Sequence, residues 1–121
     1  MKTTLEELLA GGRPIVADGG MGTMLFNAGL QRGQAPELWN IERPDVVRSI
    51  HAGYIQAGAQ IILTNTFGGN RARLDMHALG ERAVEFNRAA AQLARAEADS
   101  AAQPVVVGGS IGPTGMMLEP L

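Results

Sequence analysis

Three loops in this chain hold residues suited to gripping a small polar ligand. Asp18-Gly19-Gly20-Met21-Gly22-Thr23 places one carboxylate ahead of glycines whose bare backbone N–H groups can approach an anion. Such a loop could hold an α-amino acid, with the ammonium on Asp18 and the carboxylate on the amides. It could equally be a tight turn in which Asp18 caps the segment that follows. Thr64-Asn65-Thr66-Phe67-Gly68-Gly69 supplies hydroxyls and an aromatic. In an extended segment Thr64 and Thr66 point together and Asn65 points away. Gly108-Gly109-Ser110-Ile111-Gly112-Pro113-Thr114-Gly115 adds a hydroxyl and further backbone donors with little bulk. Met21, Thr66, Phe67 and Ser110 are candidate pocket-lining residues.

Each loop follows a short β-branched run, and that is what must position it. The runs centre on Val16, Ile62 and Val106, about 45 residues apart, which leaves room for helical crossovers between parallel strands. Polar loops therefore gather at the carboxyl ends of successive strands, the edge where α/β folds bind their ligands. A short helix through Ala10 starts at Thr3 or Thr4 and stops at Gly11-Gly12. The stretch from Gly29 to Glu42 reads as irregular and holds the single tryptophan, Trp39, which suits packing better than a lid. Pro44 opens a helix to about Ala57 with Val47, Ile50 and Tyr54 on one face and Gly58 as its stop. Helix resumes near Arg71, breaks at Gly80, and continues from Glu81 to about Ala98 with Ala83, Phe86, Ala90 and Leu93 facing inward.

The expected class is α/β in β-α-β-α-β order, with no linker to mark a second domain. No helix follows the third loop to cover its strand, and three parallel strands leave a sheet's faces and edges open. The expectation is therefore the first three β/α units of a (β/α)8 TIM barrel, truncated, since such barrels run to about 250 residues.

Composition excludes several functions. With 45% hydrophobic and 18% charged residues the chain has an ordinary globular balance. A net charge of −2 without a basic block argues against nucleic acid and anionic membranes. No apolar run is long enough to span a bilayer, and acids occupy the amino terminus where a signal peptide needs an apolar core, so a cytoplasmic location is expected. Neither Gly20 nor Gly108 opens a Gly-x-Gly-x-x-Gly fingerprint, and no Walker lysine is present. Cysteine is absent, which rules out thiolate chemistry within these residues. His51 and His77 have no second ligand at metal spacing and read as structural or surface residues. Met21, Met24, Met116 and Met117 cluster in sequence beside the loops, where gap-filling core is the simpler role than a sulfur-tolerant pocket.

Asp18-Gly19-Gly20-Met21-Gly22-Thr23, Pro36-Glu37-Leu38-Trp39-Asn40, Ala57-Gly58-Ala59, Thr64-Asn65-Thr66-Phe67 and Gly109-Ser110-Ile111-Gly112-Pro113-Thr114, in that order, resemble the amino-terminal part of the homocysteine S-methyltransferase family. That family includes betaine-homocysteine methyltransferases and the homocysteine domain of methionine synthase. The Pro-Glu-Leu-Trp-Asn string and the Gly-Pro-Thr-Gly loop lean toward betaine-type members.

The resemblance implies a barrel that binds homocysteine at its strand ends. Asp18 would meet the amino group, the Gly19 and Gly20 amides the carboxylate, and Thr64 the same pocket. It also implies a zinc ion on three cysteines, coordinating the substrate sulfur as a thiolate that attacks a methyl group from a donor such as betaine or a methyl-corrinoid or folate. Those cysteines belong to later strands and none occurs here, so this chain alone is expected to hold the amino-acid loops without zinc or catalysis. Two other readings remain: a non-catalytic module binding an amino acid or phosphate, and a barrel segment that assembles with another chain. Donor identity and oligomeric state are not legible.

Overall fold

Two of the three β-branched runs become strands in a computed structural model, which describes residues 1–119; the tail motif's Pro120 and Leu121 lie outside the described residues. Strands β1 (Ile61–Leu63) and β2 (Val106–Gly108) pair in parallel, with Ile61 opposite Val106 and Leu63 opposite Gly108. The run around Val16 is reduced to a single parallel bridge between Ala17 and Ile61.

Side chains replace main-chain partners on both sides of that bridge, and on the near side the Val16 N–H donates to Gln60 Oε1 at 3.0 Å. The Ile61 N–H donates to the Val16 carbonyl at 3.2 Å and the Asp18 N–H to the Ile61 carbonyl at 2.9 Å. The next amide along β1, that of Leu63, donates instead to Asp18 Oδ2 at 2.9 Å. A side chain thus takes the place of the main-chain rung, and the backbone is free to leave the sheet. The expected order survives: Ala17, β1 and β2 are neighbours in sequence order, and all three loops depart from the same edge.

Helices cover one face. Helix α1 (Leu5–Ala10) is capped by Thr4, whose hydroxyl accepts from the Glu7 amide at 3.1 Å. Helix α2 (Gly22–Asn27) follows the Asp18 loop. The stretch read as irregular contains a 3-10 turn, Pro36–Leu38, and a short helix α3 (Trp39–Glu42), which seat Trp39 against Leu25, Leu30, Val47 and Ile50. Trp39 is core. Helix α4 (Pro44–Gln56) begins at its proline and ends before Gly58, whose φ of +111° suits only glycine.

Helix α5 (Arg71–Asp75) and a 3-10 turn, Gly80–Arg82, precede the long helix α6 (Ala83–Ser100). Its buried stripe is Phe86, Ala90, Ala94 and Ala98, one residue in four, so the expected inward residues Ala83 and Leu93 lie at the stripe's flanks and are only half-buried. Small alanines let α6 approach the sheet closely. Ala94 and Ala98 pack with Ile55, Ala59, Ile62 and Val105, which forms the core behind β1 and β2. The other face of the sheet is open: Ile62 is fully buried, whereas its neighbour Leu63 is 43% exposed. No helix among the described residues is long and apolar enough to cross a membrane.

Candidate functional site

The three loops meet around a cavity of about 430 Å³ at the carboxyl ends of the strands. Asp18, Gly19, Met21, Thr64, Phe67 and Ser110 all line it. Gly20 and Thr66, also candidates from the sequence, do not.

Asp18 is half-buried, and its Oδ2 is held by the Leu63 amide. That bond fixes the carboxylate at the start of the β1 loop and leaves the other oxygen available to a ligand. Asp18 does not cap the following helix, because the N-cap of α2 is Met21 and no side chain caps it. Gly19 lies in close approach to Tyr54: a Cβ there would come within 3.0 Å of the Tyr54 hydroxyl oxygen and 3.1 Å of its ring, so the tyrosine would have to shift. The Tyr54 hydroxyl donates to the Gly20 carbonyl at 2.7 Å. Gly20 is therefore the loop's anchor point on α4, and Tyr54 is a positioning residue for which the sequence signalled only helix packing.

Thr64 and Thr66 point together and Asn65 points away, as alternation requires. The Thr64 and Thr66 hydroxyl oxygens lie 2.6 Å apart. The Ser110 amide donates to Thr64 Oγ1 at 3.1 Å, and Thr66 donates to the Ser110 carbonyl at 2.7 Å. Thr66 thus sits behind Thr64 and ties the second loop to the third. On the opposite side the Asn65 amide donates to the Pro36 carbonyl and to Asn40 Oδ1, each at 3.0 Å. Asn40 in turn donates to the carbonyls of Asn65 at 3.0 Å and Phe86 at 3.2 Å. Phe67, 62% exposed, stands at the rim. Gly112 runs so close behind it that a Cβ would collide with the Phe67 carbonyl oxygen.

Several lining residues were not among the site candidates read from the sequence. Glu37 is buried in the cavity wall, 3% exposed, with its carboxylate against Gly68, where a Cβ would come within 2.9 Å of Oε1. Burial pushes its pKa above the ordinary carboxylate value, while the amides of Glu37 and Gly68 and the positive charge of His77 and Arg73 pull it partly back. Arg73 and His77 line the same cavity from one side of α5 and the turn after it. His77 is thus a surface residue of the site.

His51 is structural in the strict sense. It is fully buried, neither ring nitrogen has a partner, and burial drives its pKa down against the opposing pull of Asp18 and Glu97. The methionines depart from expectation: Met24 is 40%, Met116 76% and Met117 75% exposed, so only Met21 of that group meets the cavity and none of the three fills a core. Among the described residues no group of three or more His, Cys, Asp or Glu is placed to hold a metal ion.

The arrangement gathers polar groups suited to a small polar ligand. A carboxylate, glycine amides and hydroxyls converge from three strand ends, and an apolar rim is supplied by Met21 and Phe67. A sequence model of the homocysteine S-methyltransferase family matches residues 15–120. The methionine synthase of Mycobacterium leprae is 38% identical over 120 residues, covering 92% of this chain and 10% of its own length. That of Mycobacterium tuberculosis is also 38% identical, over 110 residues and 9% of its length. The homocysteine methyltransferase MmuM of Escherichia coli, in its metallated form, superposes with a TM-score of 0.78 at 28% identity. That superposition covers 92% of this chain and 42% of the solved one. The chain spans about a tenth of the length of these methionine synthases. It belongs to the homocysteine S-methyltransferase family.

Proposed function

We propose that residues 1–121 form the amino-terminal part of a homocysteine-binding (β/α)8 barrel domain, its first three β/α units, within an enzyme that methylates homocysteine to methionine. The observation that carries this reading is the single cavity onto which Asp18, Gly19, Thr64 and Ser110 converge from three successive strand ends. The open sheet face, with Leu63 exposed beside buried Ile62, is the interior side that further strands of a barrel would cover.

This chain's part in the reaction is to hold the substrate. Asp18 takes the ammonium of homocysteine, the Gly19 and Gly20 amides take its carboxylate, and Thr64 lines the pocket between them. The rim at Met21 and Phe67 suits an apolar, sulfur-bearing side chain. In the overall transfer the sulfur forms the new carbon–sulfur bond, the methyl donor keeps the electron pair of the bond it loses, and the thiol proton goes to solvent. The donor, betaine or a methyl-corrinoid or folate, is selected by residues other than these loops. The zinc known in this family does not fit the residues present: cysteine is absent and no alternative cluster replaces it among the described residues. The binding steps above do not run through it.

Calorimetric titration of the full chain tests this. L-Homocysteine binds in preference to inorganic phosphate, and Asp18→Asn weakens it by about 1–3 kcal/mol, the worth of one charge-assisted hydrogen bond. A preference for phosphate, or unchanged homocysteine affinity in the variant, contradicts the assignment of Asp18.

A further inference from the structure

We propose that Thr66, which does not reach the cavity, is a positioning residue that fixes the Thr64 hydroxyl as a hydrogen-bond acceptor only, so that this part of the site takes an N–H donor such as an ammonium and rejects an anion. The inference rests on the homocysteine reading of the same pocket and specifies which end of the amino acid Thr64 meets.

Each hydroxyl has a single proton to give. A carbonyl oxygen cannot donate, so the 2.7 Å contact between Thr66 Oγ1 and the Ser110 carbonyl consumes the one hydroxyl proton of Thr66. Thr66 can then only accept across the 2.6 Å contact with Thr64, which consumes the one hydroxyl proton of Thr64. The Ser110 amide occupies one lone pair of Thr64 Oγ1 at 3.1 Å. What Thr64 has left is one lone pair and no proton. Thr64 and Thr66 are 7% and 6% exposed, so water offers the ring little competition.

The neighbouring charge agrees. Asp18, bonded through Oδ2 to the amide of the adjacent residue Leu63, is also acceptor-only when ionised. Two residues with acceptors and no free proton thus line the cavity at one end of β1. A ligand ammonium satisfies both; a carboxylate set against these two oxygens would meet only their lone pairs. The carboxylate is thereby directed to the glycine amides by exclusion as well as by attraction.

The test uses the full chain and compares L-homocysteine with 4-mercaptobutanoate, which lacks the ammonium. Thr66→Val frees the Thr64 proton to turn toward the ligand, and the preference for homocysteine over 4-mercaptobutanoate falls about five- to tenfold, the scale of one hydrogen bond. Thr66→Ser, which rebuilds the ring, restores it. An unchanged preference in a folded Thr66→Val variant overturns the proposal. A second measurement needs neither variant nor ligand. In the unsubstituted chain the Thr64 and Thr66 hydroxyl protons are both protected from solvent exchange by NMR, and a rapidly exchanging Thr64 hydroxyl overturns the proposal. If homocysteine does not bind the unsubstituted chain while both protons are protected, the functional reading fails and the fixed hydroxyl stands.

Discussion

At the scale of single residues, the site is built from groups whose local bonds decide what they offer a ligand. Asp18 shows this in both directions: its side chain completes the ladder at Leu63 and thereby ends the pairing of its own segment. The sequence reading left Asp18 open between ligand binding and turn capping, and its bond to Leu63 is neither of these; periodicity carries no signal for a side chain substituting in a sheet. Glu37 is the counterexample, a carboxylate whose burial costs stability. Its pKa is raised in the fold, so its contribution is favourable below the unfolded value of about 4.3 and is lost as pH rises through the folded one. Glu37→Gln therefore raises the melting temperature at pH 7 and the gain vanishes near pH 4. Thermal melts at the two pH values check it, and a variant less stable at pH 7 would show the carboxylate to be a net stabilising group.

At the scale of elements, the loop after β1 is held from both sides by alternation. Thr64 and Thr66 bind the third loop while Asn65 binds the segment leading into α3. The paired amides of Asn40 and Asn65 link that segment, the β1 loop and the Phe86 carbonyl of α6 into one buried unit. Asn40→Ala leaves the Asn65 carbonyl and the Phe86 carbonyl without this donor. It should cost about 1–3 kcal/mol, the penalty for stranded buried polar groups. Urea unfolding measures the loss directly. A change within about 0.5 kcal/mol, as for an ordinary surface substitution, would mean that water replaces the amide and the linkage carries little. The element boundaries that were legible, at Thr4, Pro44, Gly58 and Gly80, are those with a capping, proline or glycine signal. Helix α3 and the inward face of α6 were less so. Trp39 is placed by tertiary packing, and the one-in-four alanine stripe is indistinguishable in sequence from its equally small flanking residues.

At the scale of the whole molecule, the parallel order and the gathering of three polar loops at one edge follow from strand spacing alone, and the fold bears this out. Glu37, Arg73 and His77 could not be read ahead of the fold. Each reaches the cavity from a connecting segment whose path is set by contacts distant in sequence. The sheet carries helices on one face and leaves Leu63 exposed on the other, as the proposed barrel reading requires.

Homocysteine, on this reading, binds by its amino-acid end between the Asp18 loop and the end of β1. The most direct measurement is a titration of the isotope-labelled full chain with L-homocysteine, followed through its backbone amide resonances. Saturable shifts are expected at Gly19, Gly20, Leu63, Thr64 and Ser110, lost or weakened in Asp18→Asn. Saturable shifts that spare these residues and appear elsewhere would contradict it.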